Sequence, residues 1–371
     1  MKIVRHGPRA RIVAVGFATT GALLLAGCGA SNESAPAGGD AAALSGTIAG
    51  AGATSQQAAM QAWIAGFTSV APDATINYEP TGSGAGRDQF TAGGVQFAGS
   101  DAALDAEELP LAQQQCGGGP DNVIQMPVYI SPIAVIYNLE GVDKLQLSPA
   151  TVAKMFDRKI TNWNDPAIAA DNPGTTLPDL AVTPVNRSDE SGTTENFTEY
   201  LVATAGADWP YEASGDWPVA GGEAAQGTSG VVGAVQAGQG AIGYADESQA
   251  GELGKAAIKV GAEFTEPTAA AAAAVIEASP RVEGMGEYNF AVELARDTTA
   301  SGTYPIVLAS YLLACTSYPD AAQADLVKGF LNYVISSEGQ QAGSTAAGNA
   351  PISDTQRSAF QPAIDAISAA G

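Results

Sequence analysis

The chain has 371 residues, with 16 Lys and Arg against 39 Asp and Glu and a formal net charge of −23. So acidic a molecule is a poor partner for nucleic acid or an anionic membrane surface, and an anionic ligand must be held by close, dry contacts within the roughly 8 Å screening length of physiological salt. The sole histidine, His6, lies in the N-terminal stretch, which leaves the rest without an imidazole for Ser–His or Cys–His triads, HExxH zinc sites and most common transition-metal sites.

Lys2, Arg5, Arg9 and Arg11 form a basic n-region, and residues 12–26 an apolar h-region too short for a comfortable permanent span. Arg9-Ala10-Arg11 is not a twin-arginine pair, which favours ordinary Sec export. The apolar run ends at Leu25-Ala26-Gly27-Cys28, a match to the bacterial lipobox, in which the Cys is lipid-modified and becomes the new N-terminus; a plain secretory signal with a chance Cys is the alternative. Residues 1–27 are thus read as a lipoprotein signal peptide and 28–44 as a flexible tether of small and polar residues. The folded part then begins near Ser45, and its length suits two lobes.

Residues 44–48 alternate like a strand, and Gly50-Ala51-Gly52-Ala53-Thr54-Ser55 turns into a helix whose apolar face carries Met60, Trp63, Ile64 and Phe67. A strand at 75–78 runs into Thr81-Gly82-Ser83-Gly84-Ala85-Gly86 and a helix predicted over 87–91, and a strand at 95–101 ends in Asp101. Two strand–Gly turn–helix units and a strand tip make an α/β pattern, with polar groups gathered at strand ends, where open sheets bind ligands. Residues 123–137 are the longest β-rich run, interrupted by Pro127 and Pro132, and can pass from one lobe to the other. Ser148-Pro149 starts a helix through Phe156, 165–180 is loop-rich, and Leu180-Ala181-Val182 leads to Arg187-Ser188-Asp189-Glu190-Ser191-Gly192-Thr193-Thr194 and a helix. A helix over 228–237, a strand at 241–244, a second β-rich run over 303–314 as the return crossing, and a helix over 320–336 complete the pattern.

Gly82-x-Gly84-x-Gly86 places its third Gly one position too early for a dinucleotide fingerprint, and no Walker loop occurs. Ser83 and Ser191 lack the GxSxG elbow and a His base, so the chain is read as a non-enzyme. What Thr54-Ser55, Ser83 and Ser191-Gly192-Thr193 share is hydroxyls beside free N–H groups at helix starts, a setting that suits an oxyanion. Arg187 adds a planar fork of donors, and Asp189 can hold that fork in place. Asp101 is read either as an N-cap for 102–108 or as the acceptor of a proton on the anion; the three donor turns favour the second. Phosphate at neutral pH carries such a proton and sulfate does not, so Asp101 would repel sulfate without a compensating bond. Cys116 and Cys315 are either a disulfide, the default in an exported protein, or two buried thiols.

Gly50-Ala51-Gly52-Ala53-Thr54, Gly82-Ser83-Gly84, Phe97-Ala98-Gly99-Ser100-Asp101-Ala102, 159–166, Arg187 to Thr193, Gly240-Ala241-Ile242-Gly243-Tyr244, and Gly339-Gln340 followed by Ala350-Pro351 occur in order and at characteristic spacing. Over about residues 45–360 the chain therefore resembles the PstS family, the phosphate-binding proteins of bacterial high-affinity phosphate ABC transporters. The resemblance implies a two-lobed α/β periplasmic-binding-protein-like fold of type II, with the ligand cleft between lobes joined by two crossing strands. Lobe 1 is expected to combine 45–131 with 304–371, and lobe 2 to span 132–303. It implies that Thr54, Ser55, Ser83, Asp101, Arg187, Ser191, Gly192 and Thr193 contact inorganic phosphate; no cofactor or metal is expected. The implied protein is a monomeric receptor on the outer face of the cell membrane, held only by its lipid anchor, that delivers phosphate to a permease. A receptor for another tetrahedral oxyanion, a secreted phosphate-ester hydrolase and a structural envelope protein are the alternatives. Two departures from the family pattern stand out: Ser55 replaces a common Phe, and Glu190 replaces a common Gly and is expected to face solvent.

Overall fold

The computed structural model describes residues 44–370; the basic segment, Cys28 and the tether up to residue 43 lie outside the described residues. The chain is organised on one long mixed sheet. Its strands lie in the spatial order Asp73–Glu79, Ser45–Gly52, Phe97–Ser100, Val307–Cys315, Val123–Tyr137, Ala241–Asp246, Thr183–Arg187 and Glu223–Ala225, with Gly254–Lys255 also paired to Val123–Tyr137. The first three are parallel. Val307–Cys315 is antiparallel to both of its neighbours, and Thr183–Arg187 is parallel to Ala241–Asp246 and Glu223–Ala225.

Val123–Tyr137 connects the two ends of this sheet, and every one of its residues is buried. Residues 123–132 pair with Val307–Cys315, and residues 133–137 pair with Ala241–Asp246. The change of partner falls at Pro132, which has no N–H to give to a ladder. Pro127 lies beside a register shift between Ser310 and Tyr311 of the facing strand, a bulge that re-aims the side chains next to it. The same strand feeds two cores. Val123, Ile124, Met126, Val128 and Ile130 pack with Trp63, Phe67, Phe97 and Phe330. Ile133, Val135 and Tyr137 pack with Phe156, Trp163, Phe197 and Trp209. Each fully buried large apolar side chain contributes roughly 1.5–3 kcal/mol.

Not all of 132–303 packs in the second core. Ala272, Val275 and Ile276 of the helix Ala269–Ala278 are buried in the first, and Tyr288 and Phe290 rest against it. The backbone explains why: Gln125 N–H donates to Tyr288 O, and Phe290 N–H donates to Gln125 O, which ties this segment to the edge of the first core.

Local boundaries follow capping chemistry. Ser148 accepts from Thr151 N–H at the start of Pro149–Phe156, and Ser191 accepts from Thr194 N–H at the start of Gly192–Ala205. The helix predicted over 87–91 begins earlier, as Ser83–Thr91, because Gly82 at φ +103° makes the turn that a Cβ would resist. The stretch 165–180 is not all loop: Asp165 caps Pro166–Asp171. No helix starts at Asp101; the next one is Glu108–Gln115. Cys116 follows that helix and is disulfide-bonded to Cys315, within the first core.

Candidate functional site

The strand ends bring the polar turns together. Thr54 and Ser55 follow Ser45–Gly52, Ser83 opens the helix Ser83–Thr91, Asp101 follows Phe97–Ser100, and Arg187 ends Thr183–Arg187. Gly86 permits this convergence: a Cβ there would lie 2.4 Å from the Gly52 Cα, so only glycine lets the second turn close on the first. Thr54, Ser55, Ser83, Asp101, Arg187, Ser191 and Thr193 are all buried, none more than 8% exposed.

Asp101 is the hub. Its Oδ1 accepts from the Ser55 hydroxyl at 2.6 Å and the Ser310 hydroxyl at 2.6 Å, and its Oδ2 accepts from the Thr193 hydroxyl at 2.8 Å. Its backbone N–H donates to the Ser83 hydroxyl at 3.1 Å, and its carbonyl accepts from the Asn196 amide at 2.7 Å. A carboxylate offers about four acceptor positions, so three hydroxyl donors leave one on Oδ2. The Asp101 carboxylate can therefore accept one more hydrogen. Gly192 is needed beside it, since a Cβ there would come within 2.7 Å of the Asp101 Cβ and 2.8 Å of the Ser83 Oγ.

Donors surround this acceptor. Ser83 and Ser191 each use their hydroxyl oxygen to accept a backbone N–H, from Asp101 and Thr194 respectively, which leaves both hydroxyl hydrogens free to donate. The first N–H groups of Ser83–Thr91 and Gly192–Ala205 have no intrahelical acceptor, and both helices begin here. Arg187 gives its Nε–H to Asp189 Oδ1 at 2.9 Å and one Nη2 hydrogen to Oδ2 at 2.5 Å. Three of its five donors remain for a ligand. Asp189 also accepts from Gly227 N–H at 3.0 Å. Burial pushes the Asp189 carboxyl up, but the hydrogen bond and charge of Arg187, with the Gly227 amide, hold it below the usual carboxylate range.

Two contributors were not visible in the sequence reading. Ser310 sits inside an otherwise apolar strand run, and the antiparallel pairing of Tyr311 with Ser100 sets it beside Asp101. Gly227 and Thr228 begin the helix Gly227–Ala237. Thr228 N–H donates to Thr54 Oγ1 at 3.1 Å, and the two hydroxyl oxygens lie 2.9 Å apart. One hydroxyl hydrogen occupies the gap between them, and the other is left to donate elsewhere. Gln226-Gly227-Thr228-Ser229 is a Gly and hydroxyl helix start like the other three, and that was the available signal.

Glu190 faces solvent only in part, with its side chain 38% exposed. Its carboxylate accepts from Arg87 Nη2 at 2.7 Å and lies over Gly84. Burial raises its pKa, with the Arg87 charge opposing.

A family model described as a PBP superfamily domain matches residues 35–338. The chain is 37% identical to the phosphate-binding protein PstS 3 of Mycobacterium leprae (strain TN), over 95% of this chain and 98% of that protein. It is 36% identical to the phosphate-binding protein PstS3 of Mycobacterium bovis (strain BCG / Pasteur 1173P2), over 99% of this chain and all of that protein. Among solved structures, the high affinity periplasmic phosphate-binding protein PfluDING bound with phosphate superposes with a TM-score of 0.70 at 24% identity, covering 85% of this chain and 93% of that one. A human phosphate binding apolipoprotein gives 0.67 at 21% identity over the same shares. At those identities the structural likeness establishes the fold, the α/β periplasmic-binding-protein architecture.

Proposed function

This chain belongs to the PstS family of phosphate-binding proteins, and from that premise we propose that it is an extracytoplasmic receptor that captures hydrogen phosphate and passes it to the membrane subunits of an ABC transporter. The observation that carries the reading is the one acceptor position left on Asp101 Oδ2 inside a ring of donors. An anion bearing a proton satisfies both: its oxygens accept from Arg187, the Ser83 and Ser191 hydroxyls, the Thr54–Thr228 pair and the helix amides, while its O–H donates to Asp101. Sulfate has no proton to offer and would face the Asp101 carboxylate with a lone pair.

Binding exchanges the hydration shell of the anion for fixed donors in a site closed from two sides. The first lobe comprises 45–131 and 304–371, with the 269–295 segment attached to it, and the second the remainder of 132–303. Closure turns about the strand Val123–Tyr137 and the return through 303–307. Both Cys116 and Cys315 lie in the first lobe, so their bond leaves this movement free. Lipid modification at Cys28 places the receptor on the outer face of the membrane beside its permease.

Calorimetric titration of the soluble form, stripped of bound anion, with phosphate and separately with sulfate tests the proposal. Phosphate binding with sulfate excluded is the expected result; indifference to phosphate refutes it.

A further inference from the structure

Arg87 and Glu190 meet across the cleft. Arg87 belongs to the helix Ser83–Thr91 on the first core, and Glu190 to the loop that precedes the helix Gly192–Ala205. Arg87 is 5% exposed and each of its three side-chain nitrogens donates: Nε to Glu108 at 2.7 Å, Nη1 to the Ser100 hydroxyl at 3.1 Å and Nη2 to Glu190 at 2.7 Å. Two of these partners are on its own side of the cleft; Glu190 alone comes from the other. The Glu190 carboxylate occupies a niche made by a missing side chain. A Cβ on Gly84 would fall 1.1 Å from Glu190 Oε2, and one on Gly215 would fall 3.0 Å from Oε1. The niche also sits over the N-terminal turn of Ser83–Thr91, where the helix dipole favours a carboxylate. None of these atoms belongs to the donor ring around Asp101.

We propose that Glu190 is a latch that Arg87 and the Gly84 niche hold only when the two lobes are closed, and that it sets how long the bound anion stays. This rests on the reading of the chain as a receptor that closes on phosphate. When the lobes part, Arg87 keeps Glu108 and Ser100, and Glu190 returns to water. The contact therefore adds its stability to the closed state alone, and slows release rather than speeding capture.

The sign of the effect separates this role from simple electrostatics. A carboxylate near an anion site repels the anion, so on charge alone Glu190→Gln tightens binding. The latch requires the opposite. Stopped-flow tryptophan fluorescence on the soluble form, with phosphate and with hydrogen arsenate, reads both rates. In Glu190→Gln the dissociation rate should rise about fivefold for both anions, the scale of one partly buried ion pair, with the association rate changed by less than about twofold. Gly84→Ala should act in the same direction by expelling the carboxylate, and in a Glu190→Ala background it should add nothing further. Unchanged or slower release in Glu190→Gln overturns the latch, and so does an effect confined to one anion. Wild-type protein that binds neither anion overturns the receptor reading itself and the latch with it.

Discussion

The Thr193 hydroxyl donates to Asp101 Oδ2 at 2.8 Å, joining the helix start of Gly192–Ala205 to the tip of Phe97–Ser100, 92 residues earlier in the chain. With Ser55 and Ser310 on Oδ1, it leaves the carboxylate room for one more donor and no more.

Asp101→Asn therefore disturbs more than charge. One oxygen becomes an NH2 group that confronts a hydroxyl donor, either Thr193 or the Ser55 and Ser310 pair. Phosphate affinity is expected to fall by about 2–3 kcal/mol, the usual penalty for an unmatched buried polar group, and the preference over sulfate should shrink. Paired calorimetric titrations with the two anions check both parts.

Thr228 acts through Thr54. Replacing it with Val keeps the shape and removes the hydroxyl that shares a hydrogen with Thr54 Oγ1. A loss of about 1 kcal/mol in phosphate affinity is expected, with Thr228→Ser restoring most of it. Equal affinities in wild type and Thr228→Val, measured by calorimetry, remove Thr228 from the site.

Much of this arrangement was legible beforehand, and the residues show why the rest was not. The limits of Val123–Tyr137 and the cap at Ser148 follow from a long β-rich run and a Ser-Pro pair, both local signals. The three hydroxyl turns were readable for the same reason, since a helix start declares itself in four residues. Ser310 was not, because its contact with Asp101 depends on how Val307–Cys315 pairs with Phe97–Ser100, a property of two strands far apart in the chain, the two residues being 209 apart. Glu190 keeps part of the solvent contact expected of it, but its second partner was hidden: only the fold brings Arg87 and the bare Cα of Gly84 beneath it. The packing of Tyr288 and Phe290 on the first core likewise depends on backbone pairing with Gln125 that no periodicity records.

Glu195, in the first turn of Gly192–Ala205, has its carboxyl raised from 4.5 to about 7. Burial is the main cause; Arg87 opposes it, and Glu199, Glu190 and Glu108 add to it. The folded chain thus holds this proton up to about pH 7, whereas the unfolded chain loses it near 4.5. Between those values the folded state binds more protons, so stability falls as pH rises, by up to about 3 kcal/mol from this group. Asp246, raised to about 7 mainly by burial, adds a slope of the same sign. Glu195→Gln should be more stable than wild type at pH 8 and nearly equal to it at pH 4.5. Urea unfolding of the phosphate-free protein at the two pH values measures the difference.

The bond between Cys116 and Cys315 closes a loop with a sequence separation of 199. Chain-entropy arguments give it up to about 5 kcal/mol of stability, lost when both residues are replaced by Ser. The phosphate dissociation constant should stay within about twofold of wild type, because neither sulfur reaches Asp101 or Arg187. A lowered melting temperature with intact binding is the expected outcome of paired calorimetry and thermal melts; an unchanged melting temperature would contradict it.

The contribution of Ser310 to Asp101 has a consequence for biosynthesis. A growing polypeptide can hold every Gly-rich turn and still have an incomplete cage, because the last donor to Asp101 arrives on the strand Val307–Cys315. A chain truncated before that strand is no weaker version of the receptor: it lacks the seam between Phe97–Ser100 and Val123–Tyr137 as well as the final hydroxyl. On the proposed reading, phosphate capture requires a chain complete through Val307–Cys315, and protein truncated before residue 307 should show no binding in a calorimetric titration.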